Sequence, residues 1–508
     1  MRTTSKRRAE TRPREVELAL EAPPSVIEPI ASGSGALTGR AKTRRLRSLY
    51  FDTDHGALWR AGIALRVRQD GKRYLQTLKR RSAPTAGLFE RLELEAELAA
   101  PEPDLARIAD FELVARIDAL CGERALFPLL ETEFTRVLRR TTFEGSRIEV
   151  ACDVGEARSS AGSFPISQLE LELLDGEPGA LFRLAAELRH KHPELRPALH
   201  DKTELAFFAL HDARPEAVRS KQLALPDDAT ADALFGALLV EGVRCVTANQ
   251  AAALDGASTE GVHQMRVGIR RLRMLLKLLE DELPAERADA LREALDTVAG
   301  ALGAVRDLDV FLELLVECET SGEVELAGLR ATSSEARSLA HAELCRLFAT
   351  PEAAQLAVEL GVLAFGAEWR TPERAADLAR PASDLARDLV ERCDRWASKA
   401  GRGFASLDEA GRHALRIRVK GARYATELLS NLLPAQRAKR YARRAAELQD
   451  LLGAATDAAA ARTMLESQHA DLASAAFVSG WNAQRTARAR EELPRAWRRF
   501  RRARRPWK

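Results

Sequence analysis

Two different periods of apolar and polar positions divide the chain. From Glu15 to about Val154, short segments such as "IALRVR" and "RLELEAEL" alternate apolar and polar residues with a period of two. This alternation is typical of β-strands with two unlike faces. Beyond Ala206 the period changes to 3.6 residues, which indicates helices. The pattern therefore predicts an α+β chain of two domains, strand-rich first and all-helical second.

The polar faces of the predicted strands carry almost only charged side chains. They are Glu15 and Glu17, Arg66 and Arg68, Thr77 and Lys79, Arg91, Glu93 and Glu95, Glu149 and Asp153, and Glu170 and Glu172. For any one strand, a solvated sheet face is the ordinary interpretation. A closed barrel of about eight antiparallel strands has an interior that holds side chains or one small ligand. Because carboxylates bind divalent cations and basic side chains bind phosphate, the set as a whole favours a lumen for a metal-bound polyanion.

The helical part contains an internal repeat. The segment "HQMRVGIRRLRMLLKLL" begins at His263 and "HALRIRVKGARYATELL" begins at His413, an offset of 150 residues. The same offset relates "LGAVRD" from Leu302 to "LGAATD" from Leu452. Two matches at one offset predict two copies of one helical bundle.

Each copy of the repeat carries a stripe of basic residues on one helix face. The first stripe is His263, Arg266, Arg270, Arg273 and Lys277, and the second is His413, Arg416, Lys420 and Arg423. Arg271 lies at another angle and is interpreted as a surface charge, and Glu427 replaces the counterpart of Lys277. A solvated face would explain one stripe, but the first lacks interleaved glutamate until Glu280. The duplicated histidine and cations therefore favour a groove that grips a linear polyanion.

Composition adds limits on compartment and partners. The six cysteines are scattered without a C-x-x-C pair, which argues against a disulfide framework and a zinc site. No run of 18 uncharged apolar residues occurs, so we expect a cytoplasmic protein without a membrane span. The net charge of +3 combines +9 over residues 484–508 (eleven basic, two acidic) with −6 elsewhere (3 − 9). Local charge, not the total, therefore indicates the partners.

Ordered motifs in both parts resemble known domain families. The motifs "EVEL", "YFDT", "LRVR", "QTLK", "LFERLELE", "CDVGEA" and "QLELELL" resemble a CYTH domain, of the triphosphate tunnel metalloenzyme family, over residues 13–210. The motifs "HQMRVGIRRLR", "LGAVRDLDV", "RIRVKGARYATELL" and "LQDLLGAATD" resemble a CHAD domain over 226–508, with repeats at 226–375 and 376–508. Residues 211–225 are the predicted linker. The resemblance implies an eight-stranded antiparallel β-barrel tunnel, followed by an all-α pair of pseudo-symmetric four-helix bundles.

The CYTH resemblance implies a tunnel that binds triphosphate-containing small molecules with Mg²⁺ or Mn²⁺, and that in many members hydrolyses them. The implied metal ligands are Glu15, Glu17, Asp153, Glu170 and Glu172. The implied triphosphate-binding residues are Arg66, Arg68, Lys79, Arg91, Arg136 and Lys202. The family's opening E-x-E-x-K ends here in Ala19, so the expected lysine is missing. Binding is therefore expected, no catalytic residue is assigned, and hydrolysis, or the nucleotide cyclase activity of some relatives, stays open.

The CHAD resemblance implies binding of inorganic polyphosphate and association with polyphosphate granules. The two stripes would line the polyanion path, with Lys277 the weakest candidate because its counterpart is Glu427. Three functions remain open: a polyphosphate-binding protein whose tunnel assists, an active tripolyphosphatase directed to polyphosphate, and a nucleic-acid-binding protein. The last is disfavoured because the stripes carry no stacking aromatic residue beyond Tyr424.

Two further segments have competing interpretations. In "VRDLDVF", Asp307 and Asp309 could serve catalysis, but a helix-end ion pair that anchors one bundle to the other is favoured. The basic tail "PRAWRRFRRARRPWK" includes Trp497, Phe500 and Trp507. It is interpreted as an extension of the polyanion surface, while an unstructured tail, a nucleic-acid contact and a membrane contact stay open.

Overall fold

The computed structural model describes residues 14–33, 37, 40–81, 83–280, 283–320 and 325–507 of the 508-residue chain. Residue 13, the first of the predicted tunnel domain, lies outside the described residues. The chain forms two compact units. The first comprises the described residues up to Pro215 together with Pro351–Gly366, and the second comprises Glu216–Thr350 and the described residues from Ala367 onward.

The first unit contains a closed antiparallel β-barrel. Its strands are β1 Arg14–Glu21, β2 Lys42–Asp52, β3 Ile63–Asp70, β4 Arg73–Arg80, β5 Leu88–Leu98, β6 Phe127–Phe143, β7 Ser146–Ser159 and β8 Gly162–Asp175. They are ordered β5-β4-β3-β2-β6-β7-β8-β1, and pairing of β1 with β5 closes the sheet. A two-residue strand, β9 Arg196–Pro197, pairs with β1. The predicted eight-stranded barrel is confirmed.

Helices cover the apolar outer face of this barrel. They are α1 Pro24–Ala31, α2 Ala57–Arg60, α3 Phe111–Cys121, α4 Gly179–Lys191 and α5 Glu204–Leu210. Leu18 and Leu20 on β1, like Leu169 and Leu171 on β8, are completely buried. Since successive side chains of a strand point to opposite faces, their charged neighbours turn into the lumen. Burial of the outer face therefore fixes which residues line the tunnel.

The second unit consists of two helical bundles that follow each other in sequence. The first contains α6 Ala231–Thr247, α7 Gln250–Asp255, α8 Thr259–Leu278, α9 Ala285–Thr320 and α10 Ala327–Phe348. The second contains α12 Ala375–Ala379, α13 Ala382–Ala400, α14 Glu409–Leu428, α15 Ala435–Ser467 and α16 Leu472–Arg501. Neighbouring long helices pack in the series α6–α8–α9–α10 and α13–α14–α15–α16. This arrangement confirms the predicted pair of four-helix bundles.

Local sequence signals explain where the basic helices begin and how closely they pack. Ser258 caps α8 and Asp408 caps α14, each through a side-chain oxygen that accepts a backbone N–H bond. Gly268 lies against α6, where a Cβ atom would come within 2.4 Å of the Cys245 carbonyl oxygen. Only glycine allows this approach, so the glycine within the first repeat serves packing of α8 on α6.

Helix α11, Pro351–Phe365, connects the two bundles in sequence but packs in the first unit. The Phe365 ring stacks on Phe182 of α4 with centroids 5.3 Å apart. The Arg189 guanidinium donates to the Pro351 carbonyl oxygen at 2.8 Å and to Gln355 Oε1 at 3.2 Å. Sequence analysis did not identify this packing, because an apolar helix face does not name its partner. Among the described helices, none alone passes a membrane-span test of length and apolarity; α10 and α11 pass only jointly, bent by 66°.

The substitution Gly361→Ala tests the contact between α4 and α11. A Cβ atom at Gly361 would lie 2.1 Å from the Phe182 ring. We expect this overpacking to lower the free energy of unfolding by about 1–3 kcal/mol in urea denaturation followed by circular dichroism. The control Gly480→Ala has open space around the added methyl group and should stabilise its helix by about 0.5–1 kcal/mol. Equal stabilisation by both substitutions would contradict the packing of α11.

Candidate functional site

The barrel encloses a cavity of about 590 Å³ that is lined mainly by charged side chains. The basic residues are Arg44, Arg66, Arg68, Lys79, Arg91, Arg136 and Lys202, and the acidic ones are Glu15, Glu17, Glu93, Glu95, Glu149, Glu170, Glu172 and Asp201. All tunnel residues proposed from the sequence lie here except Asp153. Seven basic and eight acidic residues among the described lining almost cancel. A polyanion therefore fits this lumen best together with a cation.

Sequence analysis missed two of the charged lining residues and left three unassigned. Arg44 shares the lumen face of β2 with Leu46, so the alternation on this strand carried no clear charge signal. Asp201 follows β9 in a turn and accepts a hydrogen bond from Arg91 at 3.3 Å. A turn residue has no periodicity that would reveal its direction. Three glutamates were recognised on polar strand faces without a role: Glu93, Glu95 and Glu149.

Ion pairs in the lumen join β1 to β4 and β5, and β4 to β5. Lys79 Nζ lies 2.8 Å from Glu15 Oε2 and 3.0 Å from Glu93 Oε2. Arg91 Nη2 lies 2.7 Å from Glu17 Oε1. Burial by itself would raise the pKa of Glu15, but the Lys79 ammonium, a hydrogen bond with Glu93 and the Arg91 charge together lower it to about 2. These cations are thus held by carboxylates in positions where phosphate oxygens could replace the carboxylates.

A second cluster lies around the completely buried carboxylate of Asp153. Arg136 donates to both oxygens of Asp153 at 2.7 and 2.6 Å, and Lys202 donates to Asp153 Oδ2. Both cations also bind Glu170, Arg136 at 2.7 Å and Lys202 at 2.6 Å. Asp153 itself does not line the cavity. Its carboxylate holds Arg136 and Lys202 so that the two cations face the lumen.

Glu17 on β1 and Glu172 on β8 lie opposite each other, and the positive charge near them does not offset burial and carboxylate repulsion. Burial, then repulsion from Glu170, raises the pKa of Glu17 to about 7. Burial, then repulsion from Glu15 and other carboxylates, raises the pKa of Glu172 to about 7. Among the described residues, no three His, Cys, Asp or Glu side chains already form a metal-binding arrangement. The donor chemistry nevertheless fits a hard divalent cation, because a cation would favour both ionised carboxylates.

The position of the missing lysine is apolar. Ala19 lines the tunnel and packs with Phe89 and Ala198 in a small buried cluster. The Arg91 guanidinium lies over the Phe89 ring, 4.0 Å from its centroid. The positive charge beside this patch therefore comes from Arg91 on β5, not from a residue of β1.

In the second unit, the basic stripes of α8 and α14 converge. Burial, then the charges of Arg270, Arg416 and Arg423, lowers the pKa of Lys420 to about 7. Burial also lowers the pKa of Arg270, with further contributions from Arg266 and Arg416. In the described part of the chain, Arg270 and Lys420 have no carboxylate partner. We call this convergent set the basic cage: His263, Arg266, Arg270, Arg416, Lys420 and Arg423.

An ion pair repeated in both bundles flanks the cage. Arg266 Nη1 lies 2.9 Å from Asp307 of α9, and Arg416 Nη2 lies 3.8 Å from Asp457 of α15. Both arginines and both aspartates are related by the 150-residue offset. Each copy of the repeat therefore has a carboxylate that orients one arginine of the cage. Arg270 and Lys420, which form the centre of the cage, have no such carboxylate among the described residues.

The remaining stripe residues have other surroundings. Arg273 is exposed and pairs with Asp296 at 2.8 Å, and Lys277 pairs with Glu280. His413 is exposed, whereas its counterpart His263 is half-buried. Arg271 was interpreted from the sequence as a surface charge, but it is only partly exposed. Its guanidinium lies 4.6 Å from the Tyr424 ring centroid of the second repeat, and its charge contributes to lowering the pKa of Arg270.

The aspartates of "VRDLDVF" form ion pairs within the first bundle, so the expected link between bundles is wrong. Asp307 binds Arg266 of α8, and Asp309 binds Arg337 of α10 at 2.7 Å. Residues two apart on a helix point in nearly opposite directions. Because α9 packs between α8 and α10, each aspartate faces a different neighbour.

The substitution Asp153→Asn tests the buried cluster of the tunnel. Arg136 and Lys202 would lose an anionic partner that is completely buried. We expect the free energy of unfolding to fall by about 1–3 kcal/mol in urea denaturation, while Glu170 still binds both cations. The control Asp175→Asn removes a solvent-exposed pair with Arg147 and should cost at most about 1 kcal/mol. Similar small losses in both variants would contradict the structural role of Asp153.

Comparison with known proteins identifies two domain families in the chain. The sequence matches the CYTH domain family over residues 14–206 and the CHAD domain family over residues 237–466. An inorganic triphosphatase of Haemophilus influenzae is 30% identical over 138 residues, which are 27% of this chain and only 38% of that protein. The CHAD domain of Ricinus communis is 26% identical, covering 57% of this chain and 98% of that chain, with a TM-score of 0.48. PptA of Streptomyces chartreusis is 20% identical, covering 53% and 99%, with a TM-score of 0.39. The chain combines a CYTH domain, which forms the charged tunnel, with a CHAD domain, which carries the basic cage.

Proposed function

We propose that the basic cage binds inorganic polyphosphate and that the tunnel binds triphosphate-containing ends or small molecules with a divalent cation. The observation that carries this proposal is the uncompensated centre of the cage. Lys420 is surrounded by arginines and has its pKa lowered to about 7. An anion bound next to such a lysine would stabilise its protonated form and reduce the repulsion from the neighbouring arginines.

The cage suits a chain of phosphates better than a single anion. Arg270 and Lys420 have no carboxylate partner within the described ranges, and Arg266 and Arg416 add guanidinium groups from the two repeats. Guanidinium binds phosphate oxygens through paired N–H groups, and each such bond is charge-assisted. Asp307 and Asp457 hold the outer arginines in place until phosphate approaches. A linear polyanion can contact both halves of the repeat at once.

In the tunnel, four glutamates would hold the divalent cation: Glu15, Glu17, Glu170 and Glu172. When bound, the cation would polarise phosphoryl oxygens as a Lewis acid. Arg66, Arg68 and Lys79 lie on adjacent strands and would bind phosphate oxygens in exchange for their present carboxylate partners. Arg136 and Lys202, oriented by Asp153, would bind further phosphate oxygens. The basic side chains and the bound cation would together neutralise the charge of a triphosphate.

Hydrolysis of triphosphate is the second candidate function of the tunnel. It is supported by the similarity of 138 residues of the chain to an inorganic triphosphatase. The apolar patch at Ala19 lowers the positive charge available to a leaving phosphate, which affects the rate more than binding. If hydrolysis occurs, the cage would direct the enzyme to polyphosphate.

Nucleic acid is a poorer ligand for the cage. Stacking of bases on exposed aromatic rings is a main source of affinity for single strands. Tyr424 is 7% exposed, and the guanidinium groups of Arg271 and Arg423 lie near its ring at 4.6 and 5.0 Å. The aromatic ring is therefore covered. Association with polyphosphate granules in the cytoplasm would follow from polyphosphate binding.

Tunnel activity is tested with purified protein, tripolyphosphate and Mn²⁺. We expect phosphate release by the wild type above that of the double variant Glu15→Ala, Glu17→Ala, which lacks two of the cation-binding carboxylates. Mg²⁺ in place of Mn²⁺ tests the choice of metal. Phosphate release equal to that of the double variant would exclude the hydrolytic function and leave binding, which calorimetry with tripolyphosphate measures.

Removal of the free cations of the cage should weaken polyphosphate binding. Each charge-assisted bond contributes about 1.5–3 kcal/mol, so Arg270→Gln with Lys420→Gln should lower the affinity by about 100-fold or more in calorimetry. Wild-type affinity should fall as pH rises above about 7, because free Lys420 then loses the proton that bound phosphate would retain. The variant should lack this dependence. Arg346→Gln with Arg387→Gln removes the same charge from exposed pairs and should bind normally.

A further inference from the structure

A groove of about 460 Å³ lined by arginines lies at the C-terminal end of α16. We call it the arginine groove and define it by Arg440, Arg444, Arg495, Arg498, Arg499 and Arg502. Helix α15 supplies the first two, and α16 with its C-terminal cap supplies the others. Since the CHAD match ends at residue 466, four of these six arginines lie beyond the matched segment. The groove shares no residue with the basic cage.

A buried anchor fixes the end of α16 beneath the groove. Asp394 is 3% exposed and accepts hydrogen bonds from the Tyr441 hydroxyl at 2.8 Å and from Arg505 at 2.7 Å. Arg501 lies 3.9 Å from the same carboxylate. Phe500 is buried against the Tyr441 ring, with centroids 5.3 Å apart. The basic tail is therefore an ordered part of the bundle, in contrast to the unstructured alternative.

This anchoring divides the arginines of the tail into two groups. Arg501 and Arg505 turn inward to Asp394, whereas the groove arginines face outward. Within the groove, Arg444 pairs with Glu447 at 2.6 Å, and Arg498 donates to the Pro494 carbonyl oxygen. Among the described residues, no carboxylate partner is present for the remaining four: Arg440, Arg495, Arg499 and Arg502. A fixed frame thus holds guanidinium groups together against their mutual repulsion, and an external anion would relieve that repulsion.

The surroundings of the groove indicate the class of anion. The tail's aromatic side chains serve packing: Trp497 stacks on Phe404 with centroids 5.2 Å apart, and Trp507 is 9% exposed. They leave no aromatic platform for bases. Insertion into a membrane needs apolar side chains beside the cations. The exposed large hydrophobic residue of α16 is Leu472, about 35 Å from Arg495 along the helix. A groove that offers guanidinium groups without aromatic or apolar side chains is suited to an anion with phosphate oxygens.

We propose that the arginine groove is a second binding site for inorganic polyphosphate, separate from the basic cage. The identity of the ligand rests on the proposed function, whereas the presence of an anion site rests on the groove itself. Gly453 lies beside Arg416 of the cage, and it follows Arg444 by about 14 Å along α15. Nine residues also turn the helix by about half a revolution, so a chain that occupies cage and groove together has to pass round α15. For a long chain that does so, the second contact becomes intramolecular. Short chains reach only one site.

The test compares long-chain polyphosphate with tripolyphosphate by calorimetry on the full-length protein at several salt concentrations. The groove variant carries Arg440→Gln, Arg495→Gln, Arg499→Gln and Arg502→Gln. We expect at least a tenfold loss of affinity for the long chain, a shallower dependence on salt, and unchanged affinity for tripolyphosphate. In the part of the chain that the structure describes, the four arginines have no carboxylate partners, so the helical circular dichroism signal should be unaltered. The matched control removes the same charge elsewhere in the second unit: Arg330→Gln, Arg346→Gln, Arg387→Gln and Arg488→Gln.

The outcomes separate this inference from the proposed function. If the groove variant binds the long chain like the matched control while the Arg270→Gln, Lys420→Gln variant does not, the second site is refuted and the cage assignment stands. If the wild type binds no polyphosphate, the proposed function fails. Single-stranded DNA and phosphatidylserine vesicles then serve as probes, and binding lost in the groove variant assigns the groove to another polyanion. Either result overturns the polyphosphate assignment of the groove.

Discussion

A buried charge costs free energy unless a partner of opposite sign accompanies it, and the two domains differ in how far they supply such partners. In the tunnel, carboxylates on neighbouring strands neutralise the cations, as Glu15 does for Lys79 and Asp153 does for Arg136. In the basic cage, Arg270 and Lys420 lack such partners among the described residues. A ligand of the tunnel therefore has to replace carboxylates that already pair with the cations, whereas an anion can bind the cage without displacing a carboxylate from Arg270 or Lys420.

This difference has consequences for what each domain binds. A lumen whose charges nearly cancel gains little from a bare polyanion, because the carboxylates repel it. A cation that accompanies the polyanion removes this repulsion, and Glu17 and Glu172, whose pKa values are raised to about 7, lie where it would act. The cage gives no such role to a metal. If the cage binds a polyanion as proposed, its affinity would rest on basic side chains, and salt would weaken it steeply.

The internal repeat shows which parts of the cage are structural. Arg266 with Asp307 and Arg416 with Asp457 occupy equivalent positions, so an ion pair supports the site in both copies. Elsewhere the copies differ: Glu427 stands where the first copy has Lys277, and His413 is exposed where His263 is half-buried. The cage is therefore built unequally from two related bundles. The arginine groove is a further difference between the two bundles, because it is formed by α15 and the basic end of α16, both in the second bundle.

The sequence by itself determined the architecture and most of the candidate site residues. Alternation in segments such as "RLELEAEL" assigns each residue to one face of a strand, and the 150-residue offset pairs His263 with His413. These signals are local, or repeat at a fixed spacing, so they can be read without a fold. Tertiary structure alone decided the roles of Asp153 and Arg271 and the packing of α11. Their partners are distant in sequence, and only the folded chain brings such residues within the few ångströms over which ion pairs and hydrogen bonds act.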